Sequence, residues 1–179
     1  SSWPEDEAIL LPYFNEEASE DFALVLAPHE IHEEHLRAIE SGLKRPSIRL
    51  SEYDEAKGLP EGTACVIIDC FGLLSSVYRY GTWAYVGGGF GKSVHNTLEA
   101  AVYGIPVFFG PEIHKHREVR ELVKRSSGFI LHDRAELSQL LQRFSSEEEC
   151  KALEARTRAY FSEECGATAA ILGDILPSE

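Results

Sequence analysis

The sequence of 179 residues contains no methionine, no long apolar run and no excess of positive charge. A membrane-spanning helix needs roughly 20 consecutive apolar residues, so none is predicted, and no signal peptide opens the chain. Lysine and arginine number 17 against 30 aspartates and glutamates, and the net charge of −13 argues against nucleic acid or an anionic membrane as a partner. Because methionine is absent and the chain opens with Ser1-Ser2-Trp3-Pro4, we expect it to be part of a longer protein.

Familiar nucleotide-binding motifs are incomplete. The segment Gly91-Lys92-Ser93 matches the end of a Walker A loop, but the first glycine of that motif would fall on Val86. A dinucleotide fingerprint fails because its third glycine would fall on Lys92 or Val94. These departures argue against a P-loop NTPase and against an NAD-binding protein. No G-x-S-x-G elbow or Ser-His-Asp order is present to suggest a serine hydrolase.

The cysteines and histidines form no recognised metal or disulfide pattern. None of the 4 cysteines belongs to a C-x-x-C pair. Cys65 and Cys70 flank an apolar run, which predicts reduced, buried thiols in a cytoplasmic protein. The zinc motif H-E-x-x-H fails because its second histidine would fall on Leu36. We therefore expect His32 and His35 to be solvated or to cap a helix.

Short apolar, β-branched runs alternate with segments of helical spacing. Such runs suit strands buried on both faces of a parallel sheet. Their repeated alternation predicts one α/β domain over residues 1–179 with a doubly wound, Rossmann-like parallel sheet. The predicted strands are 23–27, 47–50, 65–69, 83–86, 106–109 and 128–131, and the predicted helices are 5–13, 31–43, 71–80, 96–103, 116–125, 135–144, 147–165 and 167–176.

A glycine-rich turn follows the fourth predicted strand. It contains Gly87, Gly88, Gly89 and Gly91, directly ahead of a predicted helix. Glycines let a ligand approach the backbone closely, and the helix start beyond them offers N–H groups that suit a phosphate. Lys92 lies where it could reach that phosphate. The alternative is a plain turn with an exposed lysine.

Two polar residues, Asn96 and Glu99, mark the start of that helix. Glu99 suits two hydrogen bonds from the hydroxyls of a ribose. Alternatively, Asn96 caps the helix and Glu99 completes a capping box, which is a purely structural role. The spacing alone supports both interpretations.

Three other segments directly follow predicted strands, where ligands bind in open α/β sheets. They are Pro28-His29, Phe71-Gly72 and Gly110-Pro111-Glu112. His114 and His116 lie beside the last segment, and for them a surface role is an equal alternative.

Taken in order, these segments resemble the 3-deoxy-D-manno-octulosonic acid (Kdo) transferases, with their V-G-G-S, H-N-x-L-E and G-x-P-V-x-F-G-P blocks. The resemblance extends to about Asp133. Its blocks here are Ser1 to Glu7, Ala27-Pro28-His29, Ile68 to Gly72, Tyr85 to Phe90, His95 to Ala101 and Gly104 to Pro111. The arginine that the family places after Ala-Pro is replaced by His29-Glu30, and Ser93-Val94 stands where two glycines often precede His-Asn.

The resemblance implies the C-terminal, donor-binding half of a GT-B glycosyltransferase. The family transfers Kdo from CMP-Kdo to a lipid A precursor in lipopolysaccharide biosynthesis, at the cytoplasmic face of the inner membrane and without a metal or other cofactor. The acceptor domain, the catalytic base and the membrane contact are then expected in a missing N-terminal half, which leaves a soluble fragment without transfer activity. By motif matching, the donor-binding residues are Pro28, His29, Phe71, Gly72, Gly87, Gly88, Gly89, Gly91, Lys92, His95, Asn96 and Glu99.

Two alternatives remain open on the sequence. One is another GT-B sugar-nucleotide enzyme, such as a UDP-sugar transferase or an epimerase, which shares the glycine-rich turn and the ribose-binding glutamate. The other is a nucleotide-binding module without catalytic activity.

Overall fold

The structure is a computed structural model that describes residues 1–164. Strands and helices alternate along this part of the chain, as the apolar pattern predicts. The predicted helix at 167–176 and Cys165 lie outside the described residues. The strands are β1 (Leu24–Leu26), β2 (Ser47–Arg49), β3 (Cys65–Ile67), β4 (Ala84–Val86), β5 (Val107–Phe109) and β6 (Gly128–Ile130), and the helices are α1 (Pro4–Glu16), α2 (Glu33–Gly42), α3 (Leu74–Val77), α4 (Leu98–Ala101), α5 (Arg117–Lys124), α6 (Arg134–Arg143) and α7 (Glu147–Glu164).

All strand pairs are parallel, which confirms the predicted α/β class. The strands form two sheets, in the orders β1-β3-β2 and β4-β5-β6. In register, Val25 lies opposite Val66, and Tyr85 lies opposite Phe108. The sequence predicted one sheet, whereas the structure has two half-sheets of three strands each.

Helices cover the two faces of the half-sheets unequally. On one face, α1, α2, α6 and the first half of α7 bury a core that extends under both half-sheets. On the other face, α4, α5 and the end of α7 cover the second half-sheet. On the same face of the first half-sheet, Val25 of β1 is 51% exposed among the described residues.

A buried hydrogen bond between side chains joins the first two helices. Glu7 of α1 and His35 of α2 are both buried, and their Oε2 and Nε2 atoms lie 2.9 Å apart. Burial opposes a charge on His35, but its hydrogen bonds to Glu7 and to the carbonyl of Glu30 outweigh burial and raise its pKa. The expectation of a solvated His35 is therefore wrong. The expectation for His32 is confirmed, since its Nδ1 caps α2 by accepting the amide N–H of His35.

The cysteines follow the prediction only in part. Cys65 in β3 is buried, and burial raises the pKa of its thiol to about 12. Cys70 is exposed because it lies in the loop beyond β3 rather than in the strand. Within residues 1–164 the three cysteines are unpaired thiols. None of the helices in this part of the chain is long and apolar enough to cross a membrane.

Candidate nucleotide-binding site

The loops that follow β1 and β4 meet at the carboxyl edge of the half-sheets. Hydrogen bonds to the Asp6 carboxylate hold the loop after β4 in place. The backbone N–H of Gly88 donates to Oδ2 of Asp6 over 2.9 Å, and the hydroxyl of Tyr85 donates to Oδ1 over 2.6 Å. The N–H of Trp3 donates to Oδ2 as well, over 2.8 Å. The Asp6 carboxylate is completely buried, so it fixes the glycine-rich loop to the start of α1.

The glycines of this loop are packed against the protein itself. Gly88 has a φ of 92°, and a Cβ there would clash with the carbonyl oxygen of Ser93. A Cβ on Gly89 would meet Cα of Gly110 at 2.7 Å, and a Cβ on Gly87 would meet Oδ2 of Asp6 at 2.6 Å. At these three positions the protein's own atoms therefore take up the space of a Cβ, and a role of these glycines in donor binding stays a prediction.

Gly91 is the member of the group that has space around it. It is exposed, and no atom lies within 4 Å of a Cβ placed on it. Among the described residues, no hydrogen-bond partner is recorded for its amide. An incoming anion can therefore reach the backbone of this loop at Gly91, next to the exposed Lys92.

Four side chains from distant parts of the chain form a cluster beside the loop. We call Trp3, His29, Lys92 and His95 the Trp3 cluster. Trp3 stacks on His29 with ring centroids 4.3 Å apart, and His29 lies 4.7 Å from His95. Nε1 of Trp3 donates to Nε2 of His95 over 2.9 Å, and Nζ of Lys92 lies 5.0 Å from the Trp3 ring centroid. The cluster joins aromatic surface to a cation, a combination that suits a base and a phosphate.

Burial lowers the pKa of His95, which keeps the ring neutral near pH 7. A neutral Nε2 accepts the indole N–H of Trp3, whereas a protonated one cannot. The unfolded chain takes up this proton at about pH 6.5, and the folded chain takes it up only at lower pH. The stabilising contribution of His95 is therefore fully present above about pH 6.5 and is lost as the pH falls.

This dependence is open to direct measurement by NMR. We expect the indole N–H resonance of Trp3 to titrate together with the His95 ring, at a midpoint below about pH 6.5. The protein contains 2 tryptophans, and Trp83, which packs on Phe108, serves as the internal control that should not follow this titration. A shared midpoint at or above 6.5 would contradict the proposed neutral His95.

Asn96 and Glu99 interact with each other at the start of α4. Nδ2 of Asn96 donates to Oε1 of Glu99 over 3.0 Å, and Oδ1 of Asn96 accepts the N–H of Leu98 over 3.1 Å. This is a local cap without the reciprocal bond to backbone that defines a capping box. Oε2 of Glu99 has no recorded partner among the described residues, so the ribose interpretation stays a prediction.

Pro28, Phe71 and Gly72 are the remaining residues predicted to bind the donor, and their surroundings differ. Pro28 is buried and pairs with Ser2. Phe71 is 79% exposed, and Gly72 has a φ of 90° with open space around it. Within residues 1–164, no aromatic contact or hydrogen bond joins either of these two to the Trp3 cluster.

The two histidines that follow β5 have different surroundings. Nε2 of His116 lies 2.8 Å from Oγ of Ser93, so His116 contacts the C-terminal end of the glycine-rich loop. His114 is exposed, and its carbonyl accepts a hydrogen bond from Arg120. The surface interpretation therefore applies to His114, whereas a cleft position for His116 stays a prediction.

A metal-like trio of Glu30, His32 and His35 lies at the start of α2, with ligand atoms within 4.8 Å of one another. His35 already uses both ring nitrogens, one toward Glu30 and one toward Glu7. A metal ion would have to break one of these hydrogen bonds of His35, so the geometry favours the hydrogen-bonded arrangement over a metal site.

Sequence reasoning missed the roles of Trp3 and Asp6. Pro4 and the acidic residues after it predicted the start of α1 correctly. No local signal showed that Asp6 reaches a glycine 82 positions away or that Trp3 reaches His95. The one available hint was that the opening segment belonged to the same family resemblance as the loop.

The comparisons with known proteins agree with that resemblance. No family model matches the chain. A 3-deoxy-D-manno-octulosonic acid transferase from Aquifex aeolicus is 32% identical over 134 residues, which cover 73% of this chain and 36% of that protein. The transferase of the same name from Rickettsia typhi is 29% identical over 133 residues, covering 73% and 28%. This chain is related to the Kdo transferases.

A solved structure independently supports the fold of this chain. The C-terminal CMP-Kdo binding domain of WaaA from Acinetobacter baumannii superimposes with a TM-score of 0.75 at 21% identity, over 89% of this chain and 84% of that one. The parallel α/β fold expected for the C-terminal half of a GT-B enzyme is thereby confirmed. The chain spans about a third of the length of the curated Kdo transferases it matches.

Proposed function

We propose that this chain is the donor-binding part of a Kdo transferase and holds CMP-Kdo at the carboxyl edge of β4. The observation that carries the proposal is the convergence of the Trp3 cluster on the loop after β4, in a chain related to the Kdo transferases. The cluster supplies aromatic faces for the base and a lysine for the phosphate. Glu99, one turn further on, offers a carboxylate oxygen for the ribose.

The proposed reaction requires few chemical groups from this part of the enzyme. Transfer breaks the bond between the sugar and the CMP phosphate, so negative charge develops on the departing phosphate while an acceptor hydroxyl loses its proton to a base. We propose that Lys92 and the amide of Gly91 stabilise that phosphate, without a metal. We propose that three functions belong to parts of a Kdo transferase outside the segment matched by this chain. They are the catalytic base, the binding site for a lipid A precursor and the contact with the cytoplasmic face of the inner membrane.

A nucleotide titration tests the proposal. We expect CMP at millimolar concentration to shift the amide resonances of Gly91, Lys92 and Asn96, with UMP binding more weakly. Lys92→Ala should weaken CMP binding about tenfold, since it removes one charged contact to phosphate. Lys57→Ala is the matched control, because Lys57 is an exposed lysine that pairs locally with Asp54.

The possible outcomes separate the alternatives. Tighter binding of UMP than of CMP would favour a UDP-sugar enzyme. No response of these amides to either nucleotide would refute the proposed donor site. The isolated chain should show no Kdo transfer in a turnover assay, and measurable transfer would contradict the assignment of the base to another part of the enzyme.

A further inference from the structure

A chain of three side chains connects the glycine-rich loop to the loop after β5. Oγ of Ser93 lies 2.8 Å from Nε2 of His116, and Nδ1 of the same ring lies 3.1 Å from Oε1 of Glu118. We call Ser93, His116 and Glu118 the Ser93 relay. Ser93 follows β4 and His116 follows β5, and these two strands pair in one half-sheet. The relay therefore joins two loops that leave the carboxyl edge of the sheet, where ligands bind in open α/β folds.

The relay lies next to the residues that we propose for the phosphate. Lys92 directly precedes Ser93, and Gly91 directly precedes Lys92. The three residues of the relay are partly exposed, so a ligand can reach them. Burial is the main cause of the lowered pKa of His95, and the positive charge of a protonated His116 lowers that pKa further. A charge on His116 is therefore felt at the proposed donor site.

The donors and acceptors of the relay fix where its hydrogens lie. The carboxylate of Glu118 only accepts hydrogen bonds, so Nδ1 of His116 carries a hydrogen. In the neutral ring Nε2 then carries none, and it accepts the hydroxyl hydrogen of Ser93. The opposite tautomer would place two acceptors, Nδ1 and Oε1, 3.1 Å apart. While His116 is neutral, the hydroxyl of Ser93 therefore has no hydrogen left to donate to a ligand.

Protonation of His116 reverses the direction of its hydrogen bond to Ser93. The charged ring donates from both nitrogens, to the carboxylate of Glu118 and to Oγ of Ser93. The hydroxyl hydrogen of Ser93 is then free to donate to an anion, and the ring adds a positive charge beside it. A phosphate accepts hydrogen bonds and carries negative charge, so it favours this second state for both reasons.

We propose that Ser93 is a further phosphate-binding residue of the donor site, and that His116, oriented by Glu118, is the positioning residue that frees its hydroxyl to donate to the phosphate. This inference rests on the proposed function. It couples nucleotide binding to the uptake of a proton at His116, so the affinity for CMP decreases as the pH rises.

The surroundings of His116 are consistent with this coupling. Within residues 1–164, Ser93 and Glu118 are the recorded hydrogen-bond partners of its ring. The other titratable or charged groups near it come from the glycine-rich loop, from its own segment and from α7, and they are Lys92, His95, Lys115, Arg117 and Glu164. Because Glu118 is the acidic group that the ring contacts, the added proton gains a charged partner.

Calorimetric titration of the whole chain with CMP, in two buffers of different ionisation enthalpy, measures the protons taken up on binding. The second pKa of a phosphate monoester is about 6, so at pH values well above 6 the phosphate is already doubly charged and contributes little to the count. We expect uptake of about half a proton per CMP in this range. The affinity should then decrease roughly threefold for each pH unit.

Three variants assign the proton to the relay. His116→Gln cannot take up a proton, but its amide can donate to Ser93, so CMP should bind without proton uptake and without the pH dependence. Ser93→Ala should bind CMP about threefold more weakly and take up less of a proton, because it lacks the hydroxyl that passes the effect to the phosphate. His132→Gln is the matched control, because His132 is an exposed histidine that also contacts a glutamate, Glu136.

The outcomes distinguish this inference from the proposed function. Binding of CMP without proton uptake, or with the same uptake in His116→Gln, would overturn the role of the relay and leave the donor site standing. Unchanged affinity and uptake in Ser93→Ala would overturn the assignment of Ser93 as a phosphate-binding residue. No binding of CMP to the unchanged chain would overturn the donor site and this inference together.

Discussion

Replacing Asp6 by alanine is expected to lower the free energy of unfolding by roughly 3 kcal/mol or more, although the residue lies in the first turn of a helix at the start of the chain. Its carboxylate is completely buried and accepts hydrogen bonds from the backbone of Trp3, the backbone of Gly88 and the hydroxyl of Tyr85. Alanine leaves three donors without a partner, and each buried, unpaired donor costs about 1–3 kcal/mol.

Two variants isolate the cause of this loss. Asp6→Asn keeps an oxygen for the two backbone donors, and the hydroxyl of Tyr85 can turn to accept from the new amide, so the loss should be smaller than for alanine. Glu5→Ala is the matched control, because Glu5 is an exposed acidic residue in the same turn. Chemical denaturation measures all three. A loss for Asp6→Ala no larger than that for Glu5→Ala would show that the carboxylate does not hold the loop.

The same carboxylate shows what a sequence does and does not reveal. The helix that Asp6 begins was predicted, because proline and acidic residues at a helix start act over one turn. The strands were predicted for a similar reason, since a short apolar run such as that of β5 is a local signal. The contact with Gly88 is not local, and an acidic residue that caps its own helix has the same sequence pattern as one that also holds a distant loop.

The glycine-rich turn illustrates a second limit. Glycine is required where a ligand approaches the backbone and equally where the protein's own chain does, because both need the absence of a Cβ. The pattern therefore located the loop correctly but could not tell Gly89, which packs on Gly110, from Gly91, which faces open space. The division into half-sheets was also beyond the sequence, since pairing between strands depends on neighbours that are far apart in the chain.

This difference between two glycines gives the other large effect. Gly89→Ala is expected to lower the free energy of unfolding by about 3 kcal/mol, at the upper end for overpacking, because the new Cβ meets backbone atoms of Gly110 that have no rotamer to change. Gly91→Ala should change it by less than about 0.5 kcal/mol, since that position is exposed and unobstructed. Thermal or chemical denaturation of the two variants measures the contrast.

The same pair of variants separates structure from binding. Gly91→Ala keeps the fold but places a methyl group where we propose that the donor phosphate meets the loop, so it should weaken CMP binding without lowering stability. Gly89→Ala should lower stability first and affect nucleotide binding only through the displaced loop. If Gly91→Ala bound CMP as tightly as the unchanged chain, the phosphate would not approach the backbone at Gly91, and Lys92 would be left as the contact to test.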